Sequence, residues 1–315
     1  FHTMLDTGKF SVYAYANTLS NVIRNKADQP IISSILGVAA VTPYQAGSKV
    51  GEMFGLLTRQ IAEVLTPTAA HLHAKGAAHA LREMMINGMR FSILAATPLY
   101  VITAFYIEGV IRILTGVKHP TLPMIWSGEI LLFWYYSLVL THWVFKNMFM
   151  MAGQEKRMML QSVLEGGLNF TLSIGLTFWI RHTYGGGWGI LGVALGSAIP
   201  TFVFGWGLLF GWAAHEAQIS RWELFRRVIL KSWVGCLPMV PVALALRLQP
   251  FWASGSNTLL VLGEGAVVGA VGLLGVWFIG FNRLERRTYA DKIRRRFKAN
   301  PLSVPVKPVV FQADP

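Results

Sequence analysis

One cysteine, Cys236, in 315 residues excludes an internal disulfide framework and any cysteine-based metal site. Charge is scarce as well: 14% of residues are Asp, Glu, Lys or Arg, against roughly 25% in soluble domains. Acidic residues are the scarcest, 15 against 28 Lys and Arg, for a net charge of +13. There is no Gly-x-x-x-x-Gly-Lys-Ser/Thr run and hence no P-loop for a nucleotide. The chain opens on Phe1 with no signal-peptide pattern, which reads as a missing start. No cofactor is called for.

What the chain does have is apolar surface. It is 53% hydrophobic, with 11 Trp, 19 Phe and 31 Gly, and its mean hydropathy is +0.46. A disordered chain and an ordinary cytosolic enzyme are excluded. The fold class expected is an all-α polytopic membrane protein. On a soluble chain the basic balance would raise nucleic acid as a partner. Here the cations lie between or after apolar runs, so membrane orientation accounts for them and no nucleic acid is expected.

A bilayer core needs about 20 mostly apolar residues per helix. Six windows meet this: Phe91 to Leu114, Leu122 to Met151, Met159 to Ile180, Gly189 to Trp212, Val228 to Leu246 and Leu259 to Phe281. Two earlier windows, Phe10 to Gly37 and Ala39 to Leu65, have the length but carry charges. They read as spans lining something polar, or as soluble amphipathic helices. Counted as spans they make about eight transmembrane helices. With the N-terminus in the cytoplasm, sixteen basic residues fall inside, from Lys75 to Lys298, against Lys118, Arg181 and Arg247 outside. That asymmetry follows the positive-inside rule. The domains expected are residues 1–217 as a six-helix unit, 218–282 as an extra two-helix hairpin, and 283–315 as a basic cytoplasmic tail. The tail's end, with four prolines, is expected to be disordered. Its basic run is a positive-inside anchor or a contact for anionic membrane lipids.

Charges inside spans are costly and rarely face lipid, so their spacing marks the interior. In the first helix Asn17, Asn21, Arg24 and Asp28 share one face. In the second, Lys49, Glu52, Arg59 and Glu63 do; later come Tyr135, His142 and Lys146, then Glu165, Asn169 and Ser173, with Arg90 opening the third helix. The stripes either line a shared water-filled cavity or pair off between and along helices. Four at once favour the cavity, because buried ion pairs stabilise poorly. The cations Arg24, Lys26, Lys49, Arg59, Arg90 and Lys146 outnumber Asp28, Glu52, Glu63 and Glu165. A surplus of positive charge suits an anion such as a pyrophosphate. Arg24, Lys26, Lys49, Arg90 and Lys146 are therefore the expected substrate-binding cations, with Asn17, Asn21, Glu52 and His142 as polar lining. His142 is read as a hydrogen-bonded interior residue or as a proton relay.

The run Asp28-Gln-Pro-Ile-Ile-Ser-Ser-Ile-Leu-Gly37, followed by Val41-Thr-Pro-Tyr44-Gln-Ala-Gly47, resembles the opening helical pair of a lobe in polysaccharide flippases. Ala152-Gly153-Gln-Glu-Lys156, Asn169-Phe-Thr-Leu-Ser173 and Gly189-Ile-Leu-Gly192-Val-Ala-Leu-Gly196-Ser197 follow in the family's order. The chain is thus similar, over residues 10–215, to the oligosaccharide-flippase branch of the multidrug/oligosaccharidyl-lipid/polysaccharide exporter (MOP) superfamily. The resemblance implies one six-helix lobe plus two helices, with an N-terminal lobe missing as its partner. It implies alternating access by rocking of lobes. It also places a possible cation site at Asp28, Asn169, Ser173, Ser197 and Thr201, where Ser173 stands at a position that is acidic in some relatives.

The function expected is flipping of a polyprenyl-pyrophosphate-linked oligosaccharide across the bacterial inner membrane for surface polysaccharide biosynthesis, such as lipopolysaccharide or exopolysaccharide. No covalent chemistry is needed, so the chain is not expected to be an enzyme. Partners would be the lipid-linked oligosaccharide, membrane lipids and polysaccharide polymerase or export machinery. A peptidoglycan-precursor flippase or a cation-coupled drug exporter is the alternative on the same fold. A membrane glycosyltransferase or polymerase is the alternative of another class, and it would want an outside loop longer than the roughly ten residues available here.

Overall fold

The structure is a computed structural model that describes residues 11–291, apart from positions 14, 21, 23–25, 152, 249–257, 284 and 289. Asn21, Arg24, the 249–257 linker and the basic run from Lys292 onward thus lie outside the described residues. Among the described residues there is helix and no strand. Helical turns within residues 11–20 lead to α1 (Asp28–Leu36), α2 (Val41–Ala74), α3 (Ala78–Phe105) and α4 (Ile107–Thr115). Then come α5 (Leu122–Thr141), α6 (Trp143–Met151), α7 (Glu155–Tyr184), α8 (Gly186–Glu216), α9 (Arg221–Arg247) and α10 (Thr258–Gly280).

Six of these, α3, α5 and α7 to α10, are long and apolar enough to cross a membrane. The protein is a multi-pass membrane protein. α2 has 34 residues and could span on length. Lys49, Glu52, Arg59 and Glu63 keep it below that apolarity, as the sequence windows anticipate. Two windows end differently from expectation. The third span starts earlier, at Ala78, and stops at Phe105, because Tyr106 leaves helical geometry and α4 turns off. The fourth is interrupted at His142, where α5 ends and α6 begins.

The tightest packing joins α7 to α8. A Cβ placed on Gly192 would lie 2.3 Å from the Thr177 backbone nitrogen, and one on Gly196 would lie 2.5 Å from Ser173 Cα. Only glycines spaced four apart let the two backbones meet this closely. The apolar core has three parts. The largest joins α2 to α6 with the later turns of α8 and the start of α9, around Phe145, Met89 and Leu132. The second joins α1, α2, α5 and α8 around Ile32, Trp134 and Val193. The third fastens the α9–α10 hairpin to α3 through Leu94, Cys236, Met239 and Val268. Within the hairpin, Gly275 packs against the Gly235 carbonyl so closely that a Cβ would come within 2.0 Å of its oxygen.

Three spans contain a wide, π-type turn: Gly205–Leu209 in α8, Phe225–Leu230 in α9 and Val276–Gly280 in α10. Connectivity puts all three at the same end of the bundle. The ring contact Trp206–Phe225 (6.1 Å) ties the first two together.

Candidate functional site

Along α7, Gln161, Glu165, Asn169, Ser173 and Thr177 recur every fourth residue, and each is 1% exposed or less. The row exists because a four-residue step stays on one helix face. That face is closed by α8, whose two glycines bring Ser197 and Thr201 against it. Asn169 Nδ2 donates to Ser197 Oγ at 3.0 Å. Thr201 Oγ1 donates to Glu165 Oε1 at 2.8 Å and accepts from Trp134 Nε1 at 2.8 Å. Gln161 Nε2 donates to the other carboxyl oxygen, Oε2.

Other elements complete this polar core. Asp28 is buried at the start of α1, and its carboxyl accepts from the Tyr44 hydroxyl on α2. His142, in the break between α5 and α6, places Nε2 3.2 Å from Glu165 Oε2 and Nδ1 2.8 Å from Thr141 Oγ1. One turn on, Lys146 Nζ donates to Ser162 Oγ at 2.7 Å, and Ser162 donates to Asn17 Oδ1. The residues of the cation site that the family resemblance implies therefore lie in one buried cluster: Asp28, Asn169, Ser173, Ser197 and Thr201. Asp28 Oδ1, Asn169 Oδ1, Ser173 Oγ, Thr177 Oγ1 and Gln161 Oε1 are buried there without a hydrogen-bond partner among the described residues. Such atoms are rare in interiors.

The expected substrate cations do not form one set. Lys146 is buried in the polar core, as is His142. Lys49 and Glu52 pair at 3.1 Å on an exposed face of α2, their side chains 58% and 44% accessible, and Arg59 pairs with Glu63 at 2.7 Å on the same face. Lys26 is exposed near the start of α1. Arg90 corrects the expectation of a single shared polar surface. Its guanidinium grips both oxygens of Glu285, at 2.8 and 2.7 Å, and the Gly280 carbonyl at 2.8 Å. It is thus a fastener between α3 and the segment after α10. Lys231 donates to Asn282 beside it. The guanidinium finds a carboxylate there and has no reason to seek water.

Sequence reasoning left out several members of the core. Tyr44 stood within the quoted opening motif, but nothing in its spacing pointed at Asp28. Gln161 was legible as the residue one turn before Glu165. Trp134 lies in an apolar run that hides its polar role, and its indole N–H holds Thr201.

The fold and this charged and polar interior define a multi-pass membrane protein. A solved outward-facing multidrug resistance transporter of the MATE family, in the MOP superfamily, matches with a TM-score of 0.50 at 17% identity, over 91% of this chain and 68% of that one. Residues 1–121 match the family described as polysaccharide biosynthesis protein. No curated protein matches the chain. The matches are to a polysaccharide biosynthesis family, over less than half of the chain, and to a transporter's fold, in line with the resemblance carried by the sequence motifs.

Proposed function

We propose that the chain is a lobe of a flippase that carries a polyprenyl-pyrophosphate-linked oligosaccharide across the bacterial inner membrane for surface polysaccharide biosynthesis. The observation that carries this reading is the exposed face of α2. Lys49 and Arg59 keep 58% and 62% of their side chains accessible on a helix of a membrane-spanning bundle. Charges so placed need water or a polar cargo, since lipid would leave them unsolvated. A facing lobe would turn that surface into the wall of a hydrophilic passage, and its cations would replace hydration that a pyrophosphate loses on entry. Residues 1–217 form the lobe in this reading and 218–282 the appended hairpin, with both termini cytoplasmic. The oxygens of Asp28, Asn169 and Ser173 suit a hard cation, which prefers oxygen ligands, as a coupling ion.

The test is flipping of a fluorescent polyprenyl-pyrophosphate oligosaccharide in vesicles carrying the full-length protein. Lys49→Glu with Arg59→Glu is expected to lower the rate at least tenfold at unchanged expression and thermal stability. An unchanged rate overturns the role of this face.

A further inference from the structure

A groove to which α2 contributes no residue runs along the bundle. Where α3, α5 and α8 meet, Tyr100, Trp126, Phe133, Ile199 and Phe202 wall a cavity of about 480 Å³. A second cavity of about 370 Å³, bounded also by α9, shares Tyr100, Phe133 and Phe202 with it and continues it along α5 as far as Leu140. From Trp126 to Leu140 the helix advances about 21 Å, against about 15 Å for the hydrocarbon of one leaflet. Trp126, Ile199 and Phe202 are exposed apolar side chains, so on a multi-pass membrane protein the groove lies open to lipid chains.

One residue in its wall is out of keeping. Glu129 lines the groove three residues after Trp126. Among the described residues its carboxylate has no hydrogen bond and no ion pair within 4 Å. Arg247, at the end of α9, is the cation that acts on it from a distance. Arg247 itself donates to the Phe105 carbonyl and lies 5.3 Å from the centre of the Tyr106 ring, at the end of the bundle where α3 stops and α5 starts. That commits one of its five donors. Tryptophans favour the level of the lipid headgroups. Glu129 follows Trp126 by less than one turn, and a helical side chain leans towards the N-terminus of its own helix, here Leu122. The carboxylate is therefore carried towards the headgroups, with the aromatic groove beneath it.

We propose that this groove binds a zwitterionic amine lipid, a phosphatidylethanolamine, with its ammonium on Glu129, its phosphate towards Arg247 and an acyl chain along Tyr100, Phe133 and Phe202. The ammonium brings the donors that the carboxylate lacks, and the phosphate accepts from the remaining donors of the guanidinium. An anionic lipid without an amine, such as phosphatidylglycerol, brings like charge to the carboxylate and is disfavoured. A second copy of the chain packed on this face would bury the carboxylate against apolar surface, which is costly. The site is separate from the exposed face of α2 and stands whatever cargo that face handles.

The experiment is native mass spectrometry of the full-length protein released from bilayers that hold phosphatidylethanolamine and phosphatidylglycerol of identical acyl chains in equal amounts. Phosphatidylethanolamine adducts should exceed the others about fivefold, the size of one ion pair at a partly exposed site. Glu129→Gln keeps the shape of the side chain and should abolish the preference. If that variant does not fold, Ile199→Trp is the second; it narrows the groove from α8 at an exposed position and should lower phosphatidylethanolamine retention by about the same factor. Equal adducts of the two lipids on the wild type, a preference that survives Glu129→Gln, retention unchanged in Ile199→Trp, or a lipid-free dimer overturns the site.

Discussion

The α7–α8 pair and the α9–α10 hairpin are both built from apolar helices pressed together through glycine, yet they bury opposite things. Between α7 and α8 the close approach encloses a row of five polar side chains and their partners. Between α9 and α10 it encloses mostly apolar side chains, and the polar contacts that secure the hairpin to the bundle are spread along it, around Arg90, Glu285 and Lys231 at one end, from Trp233 to Tyr136, and from Arg247 to the Phe105 carbonyl at the other. Backbone closeness is therefore a tool without a fixed purpose. What decides the role of each pair is where the polar atoms lie relative to it. In α7 and α8 they are midway along the helices, where water is excluded and each group's partner must be supplied by the protein.

The largest effect that would break this comparison comes from the glycines. Gly196→Val drives a branched side chain into the Ser173 backbone and should cost about 3 kcal/mol or more, read as loss of folded protein in detergent melts. Gly263→Ala on α10 meets nothing within 4 Å and should leave the melting temperature unchanged or slightly raised. Next in size is the fastener. Arg90 is 8% exposed at its side chain and Glu285 is 24%. Glu285→Ala leaves a nearly buried guanidinium without its carboxylate, at about 2–3 kcal/mol, and limited proteolysis should then cut after α10 well before it cuts in α7 or α8.

The same fastener sharpens the comparison through pH. The hydrogen bond from Arg90, opposed by burial and helped by the Asn282 backbone N–H, holds the Glu285 carboxyl below its ordinary value of 4.5. A carboxyl lowered in the folded state adds stability that is present above its unfolded value and is lost as pH falls through the folded one. Acid melts should show hairpin stability declining below about pH 4.5, the ordinary value from which it is lowered. Glu285→Gln should remove that decline. The smallest effect expected is Tyr44→Phe, which removes one donor to buried Asp28 and should cost about 1–2 kcal/mol in thermal unfolding, with the hairpin's proteolysis unchanged.

The sequence made some of this legible and hid the rest for physical reasons. The α7 row showed itself at Glu165, Asn169 and Ser173 because helical spacing is a local property. The glycines at 192 and 196 showed themselves within a motif, though not which backbone they would meet. Arg90 was misplaced because its partner, Glu285, lies 195 positions away, and a charge count cannot say which acid a cation will find. The breaks at Tyr106 and His142 were also missed. Both fall inside apolar runs, where hydropathy is continuous and nothing in composition signals a change of direction.

The wide turn at Gly205–Leu209 has a consequence for how α8 divides its work. An ordinary helix keeps one phase from end to end, so a stripe that begins against one neighbour stays against it. The extra residue in this turn advances the phase by about a quarter of a revolution. Before it, Ser197 and Thr201 point at α7; after it, Phe210, Ala213 and Ala214 are buried in the largest apolar cluster. One rod thus serves a polar neighbour and an apolar neighbour in succession, and removing a single residue from that turn would re-aim the last two turns of α8 and leave everything before them in place.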